Sequence, residues 1–367
     1  MKIILIFCVS LLSTSLLAQN IHYFGSVTAA KTSVKENHIT YADINNEVTV
    51  APLTSAGVSL DANLNDKYQV LAQFILQNKN KIGLDLLQLR YHFSSDLLVR
   101  VGKQRLPTNL HSENIQIQAL LPWLHLPREV YSRVPVYSFT GGSVEKSFGD
   151  KISLHVFGGD TKDDFETEDY TYETAGHNLI GARLNFNHND FKAFVNAYNT
   201  HAELSLKTDV DVSFPGKPSG TTIGYQQNFS MENFTGLSTG FQYRPKEFFI
   251  MSEYSQRTSK NPLIERVSSA YVTLGRDFGE KWTSVATFST DLDVVSQLSP
   301  TKTSTYAFNM NYRLDFNNVI KFGVEHINYK ERTVLAANGV PTSASVFTNA
   351  SPGENFEIYS LMWAFVY

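Results

Sequence analysis

Cysteine is almost absent from this sequence, because Cys8 is the only one among 367 residues. It lies in an apolar run over residues 3–18 that follows Lys2, a pattern typical of a secretory signal peptide. We therefore predict that residues 1–18 are removed and that residues 19–367 form one mature domain. A mature chain without cysteine excludes disulfides, so packing and hydrogen bonds must hold the exported fold together.

Long hydrophobic runs are also missing, since no apolar stretch after residue 18 reaches the length of a transmembrane helix. There is no block of like charge and no low-complexity linker, and the formal net charge is −4. No basic patch indicates nucleic acid as a partner, and no motif calls for a cofactor. Aromatic residues are plentiful by contrast, with 25 Phe, 18 Tyr and 3 Trp. We expect them to cover an extensive surface.

Apolar and polar residues alternate in segments of about ten residues, which is the pattern of membrane-barrel strands. The clearest case runs from Ser304 to Leu314, where Tyr306 and Phe308 oppose Thr305 and Ala307. A soluble β-sandwich would also alternate, but its aromatic residues would not recur so regularly at strand ends. The pattern predicts an all-β, antiparallel transmembrane barrel of about sixteen strands. We place these strands at residues 21–34, 54–64, 67–78, 83–93, 96–105, 134–148, 151–160, 177–187, 190–201, 233–244, 246–257, 266–278, 281–291, 303–314, 318–330 and 356–367.

The connections between these segments alternate between short turns and long loops. Short turns are predicted near residues 65–66, 94–95, 149–150, 188–189, 245, 279–280 and 317–318. Long loops are predicted near residues 35–53, 106–133, 161–176, 202–232, 258–265, 292–302 and 331–355, and the connection near 78–82 is a short exception. Outer-membrane barrels have this layout, with turns in the periplasm and loops outside, whereas a soluble sandwich has no reason to adopt it.

The segment over residues 102–135 is too long and too apolar for an ordinary surface loop. Its four prolines, among them Pro107 and Pro122, forbid a long helix or a central strand. After the fifth strand of a barrel it could fold inward, pack on the inner wall and constrict the pore. The alternative is a helical lid on a soluble core, with Ser112 as the helix cap.

Basic residues outnumber acidic ones around this segment, which favours anions or solutes that carry a carboxylate or phosphate. The alternative is that these charges pair with one another and leave a nearly neutral pore. Arg100 and Arg183 are the strongest candidates, because both fall near the middle of a strand. The predicted constriction residues are Arg100, Lys103, Arg105, Glu113, Arg128, Glu129, Arg133 and Arg183, and the predicted pore-wall residues are Arg90, Arg313 and Lys321.

Two other chemistries deserve comparison with a channel. The acidic stretch over residues 160–169 could attract a divalent cation, but it lacks the spacing of a dedicated calcium loop. His111, Ser112 and Glu113 superficially offer a base and a nucleophile. Neighbouring residues on an extended chain point apart, and no nucleophile elbow accompanies them, so no enzyme is expected.

Two stretches, VRVGKQRLP at 99–107 and PWLHLPREVYS at 122–132, resemble the strand and constriction loop of Gram-negative porins related to the phosphate-selective and general types. The alternating last residues, 359–367, resemble the signal that directs barrel proteins into the outer membrane. The resemblance implies a homotrimer of sixteen-stranded barrels in contact with lipid and lipopolysaccharide, each passing small hydrophilic solutes passively. The alternative is a non-conducting barrel that acts as an adhesin or a structural anchor.

Overall fold

A computed structural model describes residues 19–33, 44–50, 54–77, 81–131, 136–166, 171–212, 221–261, 265–295, 302–330, 334–335, 341–342 and 355–367. The predicted signal peptide and Arg133 lie outside these residues. The strands are β1 Gln19–Thr32, β2 Ser55–Asn63, β3 Tyr68–Gln77, β4 Lys81–Ser94, β5 Leu97–Arg105, β6 Ser138–Phe148, β7 Ile152–Glu166, β8 Thr171–His188, β9 Phe191–Val212, β10 Thr221–Tyr243, β11 Phe248–Thr258, β12 Arg266–Phe278, β13 Trp282–Val295, β14 Lys302–Arg313, β15 Asn318–Lys330, β16 Val334–Leu335, β17 Pro341–Thr342 and β18 Asn355–Val366.

Strands β1–β15 and β18 form one closed antiparallel barrel, and β16 and β17 form a separate two-stranded hairpin. Each barrel strand pairs with its sequence neighbours, and β18 closes the sheet by pairing with both β15 and β1. The predicted sixteen-stranded all-β barrel is therefore confirmed. Closure leaves no strand edge to expose unpaired N–H and C=O groups, as a bilayer requires.

Strands β7–β10 are longer than the alternation predicted. The pairing of β9 with β10 continues from Phe191 opposite Tyr243 to Val212 opposite Thr221. The predicted loops 161–176 and 202–232 are thus largely strand, which corrects the sequence interpretation. About ten residues suffice to cross a bilayer, so these strands are longer than a single crossing requires. The alternation itself continues in β9, where Leu204, Leu206, Thr208, Val210 and Val212 alternate with Ser205, Lys207, Asp209 and Asp211, and the expected strand length rather than the pattern ended the prediction too early.

The two faces of the barrel wall differ in exposure, as β18 illustrates. Leu361 is 52% exposed and Trp363 is 44% exposed, whereas Met362 and Ala364, which alternate with them along the strand, are buried. Large apolar residues likewise point outward from β4, at Leu87 and Leu89. A soluble sandwich would bury this face, so the apolar exterior indicates contact with lipid.

Helices contribute little to the described part of the chain. Among those residues, none of the helices is both long and apolar enough to cross a membrane.

Gly102 is the one position in β5 where the backbone needs a glycine. Its φ of +124° is rarely adopted by other residues, and a Cβ there would lie 2.1 Å from the Leu87 carbonyl oxygen of β4. We expect Gly102→Ala to destabilise the barrel by about 1–3 kcal/mol, measured as a lower urea midpoint of the folded protein. Gly142→Ala is the control, because its Cβ would lie 3.8 Å from the nearest atom. Equal midpoints for the two variants would contradict the strain at Gly102.

Candidate functional site

The segment over residues 106–131, called the inner segment below, has little regular structure. It contains two single-turn 3₁₀ helices, Ser112–Asn114 and Gln118–Leu120, and a one-turn α-helix, Arg128–Tyr131. Prolines at 107, 122 and 127 keep these turns short. The segment instead buries its apolar side chains against the inward faces of the strands. One cluster joins Ile115, Leu121, Trp123, Val130 and Tyr131 to Phe249, Met251, Tyr271 and Val285.

The carboxylate of Glu253 on β11 is a buried attachment point for both ends of this segment. Its Oε1 accepts hydrogen bonds from the Tyr131 hydroxyl at 2.5 Å and the Tyr271 hydroxyl at 2.6 Å. Its Oε2 accepts the Leu110 backbone N–H at 2.9 Å. A carboxylate that is 2% exposed is tolerated because three donors replace its hydration.

Trp123 anchors the middle of the inner segment to β12 and β13. Its indole N–H donates to the Thr273 hydroxyl at 2.8 Å and to the Thr287 hydroxyl at 3.1 Å. The ring packs edge-on against His111 and Tyr271, with centroids 5.2 and 5.5 Å away. A buried tryptophan with a satisfied N–H and two perpendicular aromatic neighbours is a rigid anchor.

Lys321 on β15 binds the backbone of the inner segment. Its ammonium is buried and donates to the carbonyl oxygens of Gln118 and Leu121, both at 2.6 Å, and of Trp123 at 2.8 Å. The neighbouring Pro122 carbonyl accepts hydrogen bonds from the amides of Asn309 and Asn311 on β14, at 3.1 and 2.7 Å. The carbonyls of Gln118, Leu121, Pro122 and Trp123 thus accept hydrogen bonds from the wall. These bonds allow an irregular backbone inside the barrel.

The charged side chains of the inner segment are also bound to the wall. Glu325 accepts hydrogen bonds from His125 at 2.9 Å and Arg128 at 2.7 Å. Glu129 accepts the Thr305 hydroxyl at 2.7 Å and the Ser289 hydroxyl. The charges of Arg128 and Glu325 therefore compensate each other, and Glu129 is hydrogen-bonded by two neutral hydroxyls; all three side chains are buried.

Arg183 on β8 holds the start of the inner segment. Its Nη1 donates to the carbonyls of Pro107 and Asn109, at 3.0 and 2.7 Å, and its Nε donates to Asn185 at 2.7 Å. The guanidinium also lies 4.1 Å from the centre of the Phe194 ring. With its donors directed at carbonyls and its face on an aromatic ring, Arg183 is a positioning residue rather than an open charge.

Most of the described contacts of the inner segment lie on the wall from β8 around to β18 and β1, and Leu106 at its start also packs against Phe139 of β6 and Phe157 of β7. The wall of β3–β7 carries a different set of inward side chains. Arg90 and Arg100 lie directly opposite each other on β4 and β5. Arg100 pairs with Glu145 at 2.5 Å and approaches His155 at 3.5 Å. Arg90 donates to the amide oxygens of Gln88 and Gln69, at 3.1 and 3.4 Å.

The edge of the inner segment that is not buried carries Glu113 and Asn114, both exposed. The Glu113 carboxylate lies within electrostatic range of Arg90 and Arg183. A negative charge on the segment therefore acts on the part of the wall that carries Arg90.

Several predicted site residues lie elsewhere than expected. Lys103 is on the outward face of β5, because the neighbouring Gln104 points inward and side chains alternate, whereas Arg105 is only 3% exposed. Lys103 donates to the Leu84 carbonyl at 2.8 Å, and Arg105 pairs with Asp85. Both side chains are thus bound to β4, and their assignment to the constriction stays a prediction.

The remaining predictions divide by their surroundings. Arg128, Glu129 and Lys321 face inward but are covered by contacts between the segment and the wall. Arg313 is exposed beside the turn after β14 and reaches the Glu280 carbonyl at 3.4 Å. Sequence reasoning missed Tyr271, Asn309 and Asn311, whose only signal was their position on the inward face of a strand.

His111, Ser112 and Glu113 are not arranged as a catalytic group. The Ser112 hydroxyl is buried and accepts the Asn109 backbone N–H at 2.8 Å. Burial, together with the positive charges of Lys192 and Arg183, lowers the pKa of His111 to about 4, so its ring is neutral at pH 7. The divalent-cation hypothesis for residues 160–169 stays a prediction, because residues 167–170 lie outside those described.

No family model matches the sequence, and no curated protein matches it. Solved structures do match the fold. An anion-selective porin from Comamonas acidovorans superposes with a TM-score of 0.58 at 9% identity, over 95% of this chain and 100% of that one. OmpT, an outer membrane protein of Vibrio cholerae in its trimer form, gives 0.55 at 9% identity, over 96% and 100%. Salmonella typhi OmpF in complex with daunomycin gives 0.55 at 8% identity, over 95% and 97%.

Identities this low establish the fold alone. The chain shares the sixteen-stranded barrel of the outer-membrane porins. Together with its apolar exterior, this architecture makes it a β-barrel of the outer membrane.

We expect Lys321→Met to loosen the inner segment, because three buried carbonyls lose their donor at about 1–3 kcal/mol each. Hydrogen exchange of the amides at residues 118–123 should become faster, as measured by mass spectrometry. Global stability is a poor readout, since replacing a buried charge by an apolar residue can be neutral. Lys281→Met, at an exposed site, is the control. Unchanged exchange in Lys321→Met would show that the other attachments suffice without it.

Proposed function

We propose that the protein is a passive channel for small hydrophilic solutes and that the inner segment narrows it. The observation that carries this proposal is the one-sided docking of that segment. Its polar contacts with the wall lie on β8 and β10–β15, whereas Arg90, Arg100 and Glu145 bind partners on β3–β7. Glu113, at the exposed edge of the segment, acts on Arg90. Sixteen strands leave a water-filled lumen unless a plug occupies it.

We further propose a preference for anions. Arg90 and Arg100 together carry two positive charges, and Glu145 compensates one of them. A partly desolvated lumen weakens the screening of such charges. A Comamonas acidovorans protein with this fold is described as an anion-selective porin, which supports the same preference here. Residues that attach the segment, such as Arg183 and Lys321, contribute to its position rather than to selectivity.

We also propose that the barrel assembles as a homotrimer and that it carries no catalytic activity. The Vibrio cholerae protein with this fold is described in a trimer form. The buried hydroxyl of Ser112, which is engaged by the Asn109 backbone N–H, supports the absence of a nucleophile at this position.

Planar-bilayer recording tests the channel function directly. The purified protein should insert in discrete conductance steps, with three levels per insertion event if it is a trimer. The alternative function, a non-conducting adhesin or anchor, predicts a correctly folded barrel without steps. Folding is checked separately by the urea midpoint, so a negative recording from folded protein would overturn the channel proposal.

The selectivity proposal predicts that Arg90→Gln and Arg100→Gln each lower the anion-to-cation permeability ratio by about two- to fivefold, as expected for one partly exposed charge. The ratio is obtained from the reversal potential in a salt gradient. Arg276→Gln is the control, because Arg276 is exposed on the outward face of β12 beside Phe248 and Phe278. A cation preference in the unmodified protein that neither substitution changes would contradict the assignment of both arginines.

A further inference from the structure

The outer surface of β12–β15 contains an apolar groove of about 390 Å³. It arises at Ala286, the small residue in a cross-strand row of larger ones. Leu274 and Phe308 lie directly opposite Ala286 on the adjacent strands, and Val324 follows on β15. The next row is formed by Val272, Phe288, Tyr306 and His326. Phe288 and Tyr306 stand 4.8 Å apart, ring centre to ring centre, and wall the groove on that side.

Polarity increases along β14 from the groove toward the end of the barrel that bears the long connections. Phe308 and Tyr306 are followed by Ser304, whose hydroxyl is 2.8 Å from that of Thr290. The next outward residue is Lys302, which donates one hydrogen bond to the Leu292 carbonyl at 2.6 Å. Within one strand, the surface thus changes from hydrocarbon-like to hydroxyl-bearing and then to cationic.

Lys302 differs from the other charged groups at this rim of the exterior. Arg266 pairs with Asp293 at 2.6 Å, and His326 pairs with Glu357 at 2.9 Å. Within the described residues, no carboxylate lies within ion-pair distance of Lys302. Its ammonium has three donors, and among the described residues the Leu292 carbonyl engages one of them.

We propose that this groove binds one acyl chain of lipopolysaccharide and that Lys302 binds a phosphate of its lipid A part. The assignment rests on the placement of the barrel in the outer membrane. An apolar groove stays dry, and a void in contact with lipid loses dispersion contacts that a flexible chain restores. The long connections mark the outer leaflet side, which is where the ammonium lies and where lipopolysaccharide supplies acyl chains below phosphates.

The test uses native mass spectrometry of delipidated protein titrated with purified lipid A in detergent. Ala286→Phe fills the groove and should weaken binding about tenfold. Lys302→Gln removes the phosphate partner and should weaken it about fivefold. The matched control is Ala182→Phe, at an exposed alanine on the outward face of β8, and it should bind like the unmodified protein.

Lipid A affinity unchanged by Ala286→Phe, or reduced equally by Ala182→Phe, would overturn the groove as the site. Ala286→Leu repeats the test with a smaller side chain if the phenylalanine variant does not fold. Phosphatidylglycerol that binds as tightly as lipid A, with the same sensitivity to both substitutions, would overturn the lipopolysaccharide assignment. Because the groove is on the exterior, Ala286→Phe should keep its single-channel conductance. A protein that binds lipid A but never conducts would disprove the channel and leave this site intact.

Discussion

The structure depends on one constraint, which is that hydrocarbon offers no partner for a backbone N–H or C=O group. Antiparallel pairing satisfies these groups between strands, but only a closed sheet satisfies all of them. The pairing of β18 with β1 is therefore the contact on which the other features depend. Closure also divides every strand into an outward and an inward face. The outward face is apolar because it meets lipid, and the inward face is free to carry charges.

Most inward charges are used to hold an irregular segment inside the barrel. The carboxylates of Glu253 and Glu325 accept hydrogen bonds from the inner segment, and the ammonium of Lys321 donates to its carbonyls. A buried charge without such partners would be strongly unfavourable. The segment also has backbone groups that no helix or strand satisfies, and the wall supplies their partners. Segment and wall are thus mutually dependent, and the docking is asymmetric because these residues lie on neighbouring strands from β11 to β15.

This asymmetry changes the electrostatic interpretation of the lumen. A count of basic and acidic residues near the segment treats all of them alike, but burial separates charges that hold structure from charges that meet solutes. Arg183, with its donors on the carbonyls of Pro107 and Asn109, belongs to the first group. We propose that Arg90 and Arg100 belong to the second, because they lie on the wall away from most segment contacts. Any selectivity then depends on few residues.

The sequence by itself determined the sixteen strands, most of their bounds and the exceptional character of the segment after β5. These follow from local properties: side chains alternate with period two, turns need particular residues, and prolines forbid regular structure. Alternation could also have placed Lys103 outside, since Arg100 defines the inward face. The partners of the buried charges were decided only by the tertiary structure. Arg128 meets Glu325 and Trp123 meets Thr273 across more than a hundred residues, and such pairs depend on barrel closure and on the path of the segment, which no local pattern encodes.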